Sequence, residues 1–326
     1  MFRTVQRTTF ALGSSVLILA LAACGGQGSG ADGGSGTGGE GGGLSGEVVI
    51  DGSSTVEPLS SAAATNFRDV EPGVNVTVAT SGTGGGFQRF CADETDISDA
   101  SRPIKDEEAE ACAAAGVEFT EIVIANDGLS VVVNPDNDWL ECITTEQLAT
   151  IWAPDSEGTV TSWNQVDPSF PDVPLDLYGA GTDSGTFDYF TEAINGEEGA
   201  IRTDYSPSED DNLTVQGVSG SQGGMGFFGL SYAEENADSV KLLDVDGGEG
   251  CVTPSRDTVQ DGSYAPLGRP LFIYVNNARY AENEALRTFV DFYLENEETI
   301  AAEALFIDLT DEQAAQAQDE LASLVG

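Results

Sequence analysis

Valines alternate with polar residues at Val74, Val76 and Val78, while LFIYV at 271–275 is apolar without a break. Alternation predicts a strand with one buried face, and a short unbroken run predicts a strand covered on both faces. Past residue 44 such segments take turns with helix-like ones. The pattern predicts strands over 47–50, 74–80, 96–102 and 117–124, with helices over 57–70, 87–92 and 105–115 between them. The β-branched run 129–133 ends at Asn134-Pro135, a turn signal, and is read as the place where the chain leaves for a second lobe. Beyond it the pattern predicts helices over 144–152, 184–193 and 232–236, strands over 175–178 and 240–245, then the 271–275 strand and helices over 282–304 and 310–324. Strands and helices in alternation define an α/β class, and roughly 280 residues exceed what one compact core serves. The expected division is one lobe of residues 45–126 plus 269–326 and another of 127–268, with a cleft between them. Two crossings between lobes form a hinge.

Three of the predicted strand-to-helix junctions share a chemistry. They read GSST at 52–55 before Val56, SGTGGG at 81–86 before Phe87, and DSGT at 183–186 before Phe187. A helix N-terminus leaves N–H groups without intrahelical partners and carries partial positive charge; Ser and Thr add hydroxyls, and Gly admits a ligand to the backbone. Each junction taken singly is explained as an ordinary helix cap. Three together suit an anion. Ser54 and Thr55 offer hydroxyls at the first, Thr83 stands between two glycines at the second, and Ser184, Gly185 and Thr186 open a helix at the third. Ser101 and Arg102 follow another predicted strand end, and a guanidinium can hold two oxygens at once. A tetrahedral oxyanion, each of whose oxygens accepts several hydrogen bonds, fits such a set.

Composition sharpens the picture. Residues 1–23 hold Arg3, Arg7, an apolar run over 10–21 and no acid, and they end before Cys24 in LAAC. This reads as a signal peptide, and its end resembles a bacterial lipobox, which implies that Cys24 is lipidated. Residues 24–44 are then a flexible tether, too polar and Gly-rich to fold. Four further cysteines, Cys91, Cys112, Cys142 and Cys251, suit two disulfides in an exported chain. Of the three possible pairings, Cys91 with Cys112 and Cys142 with Cys251 is favoured, the first because it closes a local loop. Without Arg3 and Arg7 the 12 Lys+Arg fall to ten, against 56 Asp+Glu, a formal charge of −46. Nucleic acid is excluded as a partner, and so extreme an acidity reads as adaptation to high salt. The chain has no His. That removes a Ser-His-Asp mechanism, and no G-x-S-x-G, H-E-x-x-H or P-loop motif is present, so binding without catalysis is expected, with no cofactor and no metal.

The four segments GSSTVEPL (52–59), SGTGGGF (81–87), DASRPI (99–104) and GTDSGTF (181–187), in this order, resemble the phosphate-binding lipoproteins of bacterial high-affinity phosphate ABC importers. The resemblance covers residues 46–326. It implies the two-lobed periplasmic-binding-protein fold of type II, inorganic phosphate as ligand, and a permease and ATPase as partners. It also implies an extracytoplasmic monomer held to the cell membrane by its lipid alone. Carried over by position, the phosphate ligands are Ser54, Thr55, the Val56 N–H, Thr83, Ser101, Arg102, Ser184, Gly185 and Thr186. Two departures stand out. Ala180 replaces an Arg found in some members, and Ser101 replaces an Asp that accepts the proton of monohydrogen phosphate. Arg102 is therefore expected to supply the cation, and Asp99, Asp183 or a backbone carbonyl to accept the proton. The alternatives are another tetrahedral oxyanion, such as sulfate or molybdate, and a metal-assisted phosphatase working with carboxylates alone.

Overall fold

The computed structural model describes residues 43–182 and 184–324. The signal segment, Cys24, nearly all of the tether, and Asp183 lie outside them. The first elements are β1 (Gly46–Gly52), α1 (Glu57–Val70), β2 (Val74–Ala79), α2 (Thr83–Cys91), β3 (Ile97–Ala100), α3 (Asp106–Ala115) and β4 (Phe119–Val133). Next come β5 (Cys142–Thr144), α4 (Thr145–Trp152), β6 (Asp176–Gly179), α5 (Gly185–Asn195), β7 (Ser206–Pro207), α6 (Asp211–Gly220), β8 (Gly224–Gly229) and α7 (Leu230–Glu235). The chain ends through β9 (Lys241–Leu242), β10 (Asp244–Asp246), β11 (Cys251–Val252), α8 (Arg256–Gln260), β12 (Gly268–Asn276), α9 (Asn277–Glu282), α10 (Glu284–Glu295), α11 (Glu297–Glu303) and α12 (Asp311–Ser323).

One mixed sheet runs β2-β1-β3-β12-β4-β8-β6-β7, with β9 also on β4, and a small sheet runs β11-β10-β5. β1 lies parallel to β2 and β3, whereas β12 is antiparallel to both β3 and β4. Two large apolar cores and two smaller clusters pack on the sheet among the described residues. Val48, Ile50, Phe67, Ile97, Ile122, Ile273 and Phe289 belong to one large core, and Leu129, Val131, Trp152, Trp163, Phe190 and Phe227 to the other. β4 feeds both, changing core between Ala125 and Leu129. At that change its Asn126, Asp127 and Gly128 pair with Pro270, Arg269 and Gly268 of β12. Disulfides join Cys91 of α2 to Cys112 of α3, and Cys142 of β5 to Cys251 of β11.

Several elements differ from the pattern-based expectation. The runs 117–124 and 129–133 form one strand, because the polar residues between them pair with β12 instead of turning. The Gly-rich run 223–229, for which the pattern predicts no strand, contains one, β8, buried between β4 and β6 where partners on both sides override weak propensity. The expected 282–304 helix is broken at Asn283, whose side chain accepts from the Ala285 and Leu286 N–H groups at 3.0 and 3.3 Å and starts α10 anew. A second break falls at Asn296, between α10 and α11. The 240–245 run is likewise split, between β9 and β10. α2 begins at Thr83, four residues early, with three glycines in its first turns. Gly86 explains this: a Cβ there would lie 2.5 Å from the Cα of Gly52, so only glycine lets the helix rest on the end of β1.

Candidate functional site

The end of β1 passes into α1 through Ser53, which organises the first junction. Its hydroxyl accepts from the Thr55 N–H at 3.2 Å, and its carbonyl accepts from the N–H groups of Val56 and Glu57 at 3.2 and 3.0 Å. Val56 is placed differently from the other expected ligands. Its N–H is used inside the turn and its side chain is buried in the first core, because the turn needs that donor to start α1. The Ser54 and Thr55 side chains point onward, across to α5: Ser54 Oγ donates to Asp188 Oδ2 at 3.0 Å, and Thr55 Oγ1 donates to the Gly185 carbonyl at 3.3 Å.

The second and third of the four segments, SGTGGGF and DASRPI, meet each other directly. Thr83 Oγ1 and Ser101 Oγ are 3.0 Å apart, and the Ser101 N–H donates to Thr83 Oγ1 at 3.3 Å. Arg102 beside them forms a two-pronged pair with Glu108 of α3 at 2.8 Å for each prong and lies 5.7 Å from the centre of the Phe87 ring. It is thus a paired cation at the site's edge.

Arg269, which the sequence pattern did not single out, stands at the centre. Its Nη2 donates to Thr55 Oγ1 at 3.2 Å, its Nη1 to the Ser101 carbonyl at 3.1 Å, and its Nε to Asp127 Oδ2 at 3.3 Å. Its guanidinium lies 3.4 Å from the centre of the Tyr189 ring, and the Tyr189 hydroxyl is fixed by donating to the Pro266 carbonyl at 2.7 Å. Asp127 is buried, and burial pushes its carboxyl upward while Arg269 opposes the shift. The available signal was the Arg-Pro step opening the LFIYV strand, which repeats the Arg-Pro of 102–103.

The third junction lies on the other side of the Thr55 contact. Ser184 caps α5 by accepting from the Thr186 N–H at 3.2 Å. Gly185 abuts the first junction so closely that a Cβ would fall 2.5 Å from Thr55 Oγ1. Two cavities result. Thr83, Ser101, Arg102, Lys105, Arg269 and Asp188 line one of about 260 Å³, while Ser184, Gly185, Thr186 and Asp127 line another of about 390 Å³. Ser54 and Thr55 form the partition and line both. The structure therefore brings five of the expected residues, Ser54, Thr55, Thr83, Ser101 and Arg102, together at the cavity that holds Arg269, but splits the α5 set from the rest by the Thr55–Gly185 contact.

Of the expected proton acceptors, Asp183 lies outside the described residues, and Asp99 is buried under the first junction. Asp99 accepts from Ser60 Oγ at 2.9 Å and lines neither cavity; burial pushes its carboxyl up to about 8. The carboxylates at the smaller cavity are Asp188, Glu192 and Glu198. Burial, followed by its acidic neighbours, raises the carboxyl of Glu198.

A two-cored α/β sheet whose strand ends present hydroxyls and arginines to one cleft is the architecture of a periplasmic-type binding protein. The chain belongs to the PBP superfamily, whose domain model matches residues 32–297. It is 50% identical over 265 residues to Protein SphX of Synechocystis sp., covering 81% of this chain and 79% of that one. It is 38% identical over 319 residues to the Phosphate-binding protein PstS of Staphylococcus saprophyticus, covering 98% and 94%. A crystal structure of a possible phosphate binding protein from Planctomyces limnophilus superposes with a TM-score of 0.83 at 43% identity, covering 87% of this chain and 100% of that one.

Proposed function

We propose that this chain captures inorganic phosphate outside the cytoplasm and hands it to the permease and ATPase of an ABC importer, without chemistry on the ligand. The observation that carries the reading is Arg269 reaching both Thr55 and Ser101 while Thr83 touches Ser101, which gathers hydroxyls from three separate segments around a guanidinium. The names of its relatives point the same way. The ligand set is Ser54, Thr55, Thr83, Ser101, Arg102, Arg269, Ser184, Gly185 and Thr186, with neutral donors outnumbering cations. The Thr55–Gly185 contact separates to admit the anion between them. That motion is a hinge between residues 45–126 with 269–326 and residues 127–268, bending where 126–128 pair with 268–270. Lipid on Cys24 keeps this monomeric body at the membrane, in a medium of high salt.

Calorimetry of the purified chain with phosphate, sulfate and molybdate tests the assignment. Phosphate is expected to bind one to one and to raise the melting temperature. Heat from sulfate or molybdate with none from phosphate would overturn it.

A further inference from the structure

Monohydrogen phosphate brings one proton that sulfate lacks at neutral pH. A site that prefers phosphate needs an acceptor which is satisfied by that proton and which repels an anion without one. With Ser101 standing where a carboxylate was expected, the acceptor must come from elsewhere. We propose that Asp188 takes the proton of the bound anion and so sets the preference for phosphate over sulfate; this rests on the phosphate reading above.

Asp188 lies one turn into α5, its N–H donating to the Ser184 carbonyl at 3.2 Å, so it shares a face with the capping serine. That face meets the first junction: Oδ2 accepts from Ser54 Oγ at 3.0 Å. Among the described residues no hydrogen bond engages Oδ1, and the side chain lines the same cavity as Thr83, Ser101 and Arg269. The other acids suit the task less. Asp99 lines neither cavity, and Asp127 gives Oδ2 to Arg269 and lines only the larger cavity. Glu192 lies a turn further along α5 and Glu198 beyond its end, and neither touches a hydroxyl of the three junctions. Glu192 also disfavours a charge on Asp188, while Arg269 favours it. Half-burial adds to the proton affinity of a carboxylate already facing a second anion.

The test compares phosphate and sulfate affinities of the full chain as wild type, Asp188→Asn, Asp188→Glu and Asp127→Asn. Asn keeps an acceptor for Ser54 but cannot repel sulfate. Asp188→Asn is expected to bind phosphate about 10- to 100-fold more weakly and to shift the sulfate-to-phosphate ratio toward sulfate by a similar factor. Asp188→Glu, which returns the charge at a longer reach, is expected to restore part of the discrimination. A wild-type ratio in Asp188→Asn, or a shift in ratio from Asp127→Asn and none from Asp188→Asn, overturns the role of Asp188 and leaves the phosphate reading standing. A wild-type chain that prefers sulfate overturns both.

Discussion

Arg269 and Arg102 illustrate how two arginines of one cavity take different parts. Arg269 has its side chain 12% exposed and Asp127 only 7%, so removing the guanidinium strands a buried carboxylate. Arg269→Ala is expected to lower stability by about 3 kcal/mol in urea unfolding and to weaken phosphate binding more than Arg102→Ala does. Adding Asp127→Ala should recover part of the stability but none of the affinity. If Arg102→Ala proves the more damaging to binding, the central place of Arg269 is wrong. Asp99 gives a pH signature of its own. Its carboxyl is pushed up to about 8 in the fold against 3.8 ordinarily, so near neutrality the folded chain holds a proton that the unfolded chain releases. That contribution is complete below about pH 4 and is lost as pH rises through 8. Asp99→Asn should therefore flatten the pH dependence and gain a few kcal/mol over wild type at pH 9, since each tenfold change in proton affinity on folding is worth about 1.4 kcal/mol. Equal losses in both proteins between pH 5 and 9, by chemical denaturation, would contradict it. Hydroxyls such as Thr55, Thr83 and Ser101 were legible because glycine and strand-end signals flank them. Arg269, Asp127 and Asp188 were not, since only the pairing of β4 with β12 and the approach of α5 bring residues so distant in sequence together.

At the level of elements, α5 decides how tightly the two sides meet. Its first residue, Gly185, has room for a hydrogen atom and nothing more, since a Cβ would also fall 2.7 Å from the Thr55 backbone nitrogen. Gly185→Ala is therefore expected to place a methyl group where the anion is to enter between Thr55 and Gly185, and to abolish most phosphate binding with little loss of melting temperature. Full affinity in that variant would show that the anion does not sit between Thr55 and Gly185. Ser184→Ala removes a cap as well as a proposed ligand hydroxyl, so it should cost about 1 kcal/mol of stability without phosphate and weaken binding by roughly a further 1–3 kcal/mol. The helix over 57–70 was legible to the residue, with proline at its start and an apolar face of Leu59, Ala63 and Phe67. β8 was not. Its glycines carry no β signal, and its place comes from the strands on either side.

For the whole molecule the governing quantity is charge. Twelve Lys+Arg against 56 Asp+Glu make the protein a strong polyanion, yet the ligand proposed for it is also an anion. Two fields compete during encounter. Arg102, Lys105 and Arg269 attract phosphate at the cavity, against Asp188, Glu192 and Glu198 beside them, whereas the remaining surface repels it from a distance. At 0.1 M salt the screening length is about 10 Å, long enough for repulsion to act well outside the cavity; at 1 M it is about 3 Å, and only the groups touching the ligand count. Raising salt thus removes the opposition first and the attraction last. The association rate of phosphate, followed by stopped flow in KCl from about 0.1 to 2 M, is expected to rise with salt. This is the reverse of the usual steering of an anion into a cationic cleft, where the rate falls steeply. The dissociation rate should change little, because most members of the proposed ligand set are hydroxyls and backbone N–H groups that act only at contact. An association rate that falls with salt would mean that the three basic side chains dominate the field at every distance, and that the acidic surface is electrostatically remote from the cleft.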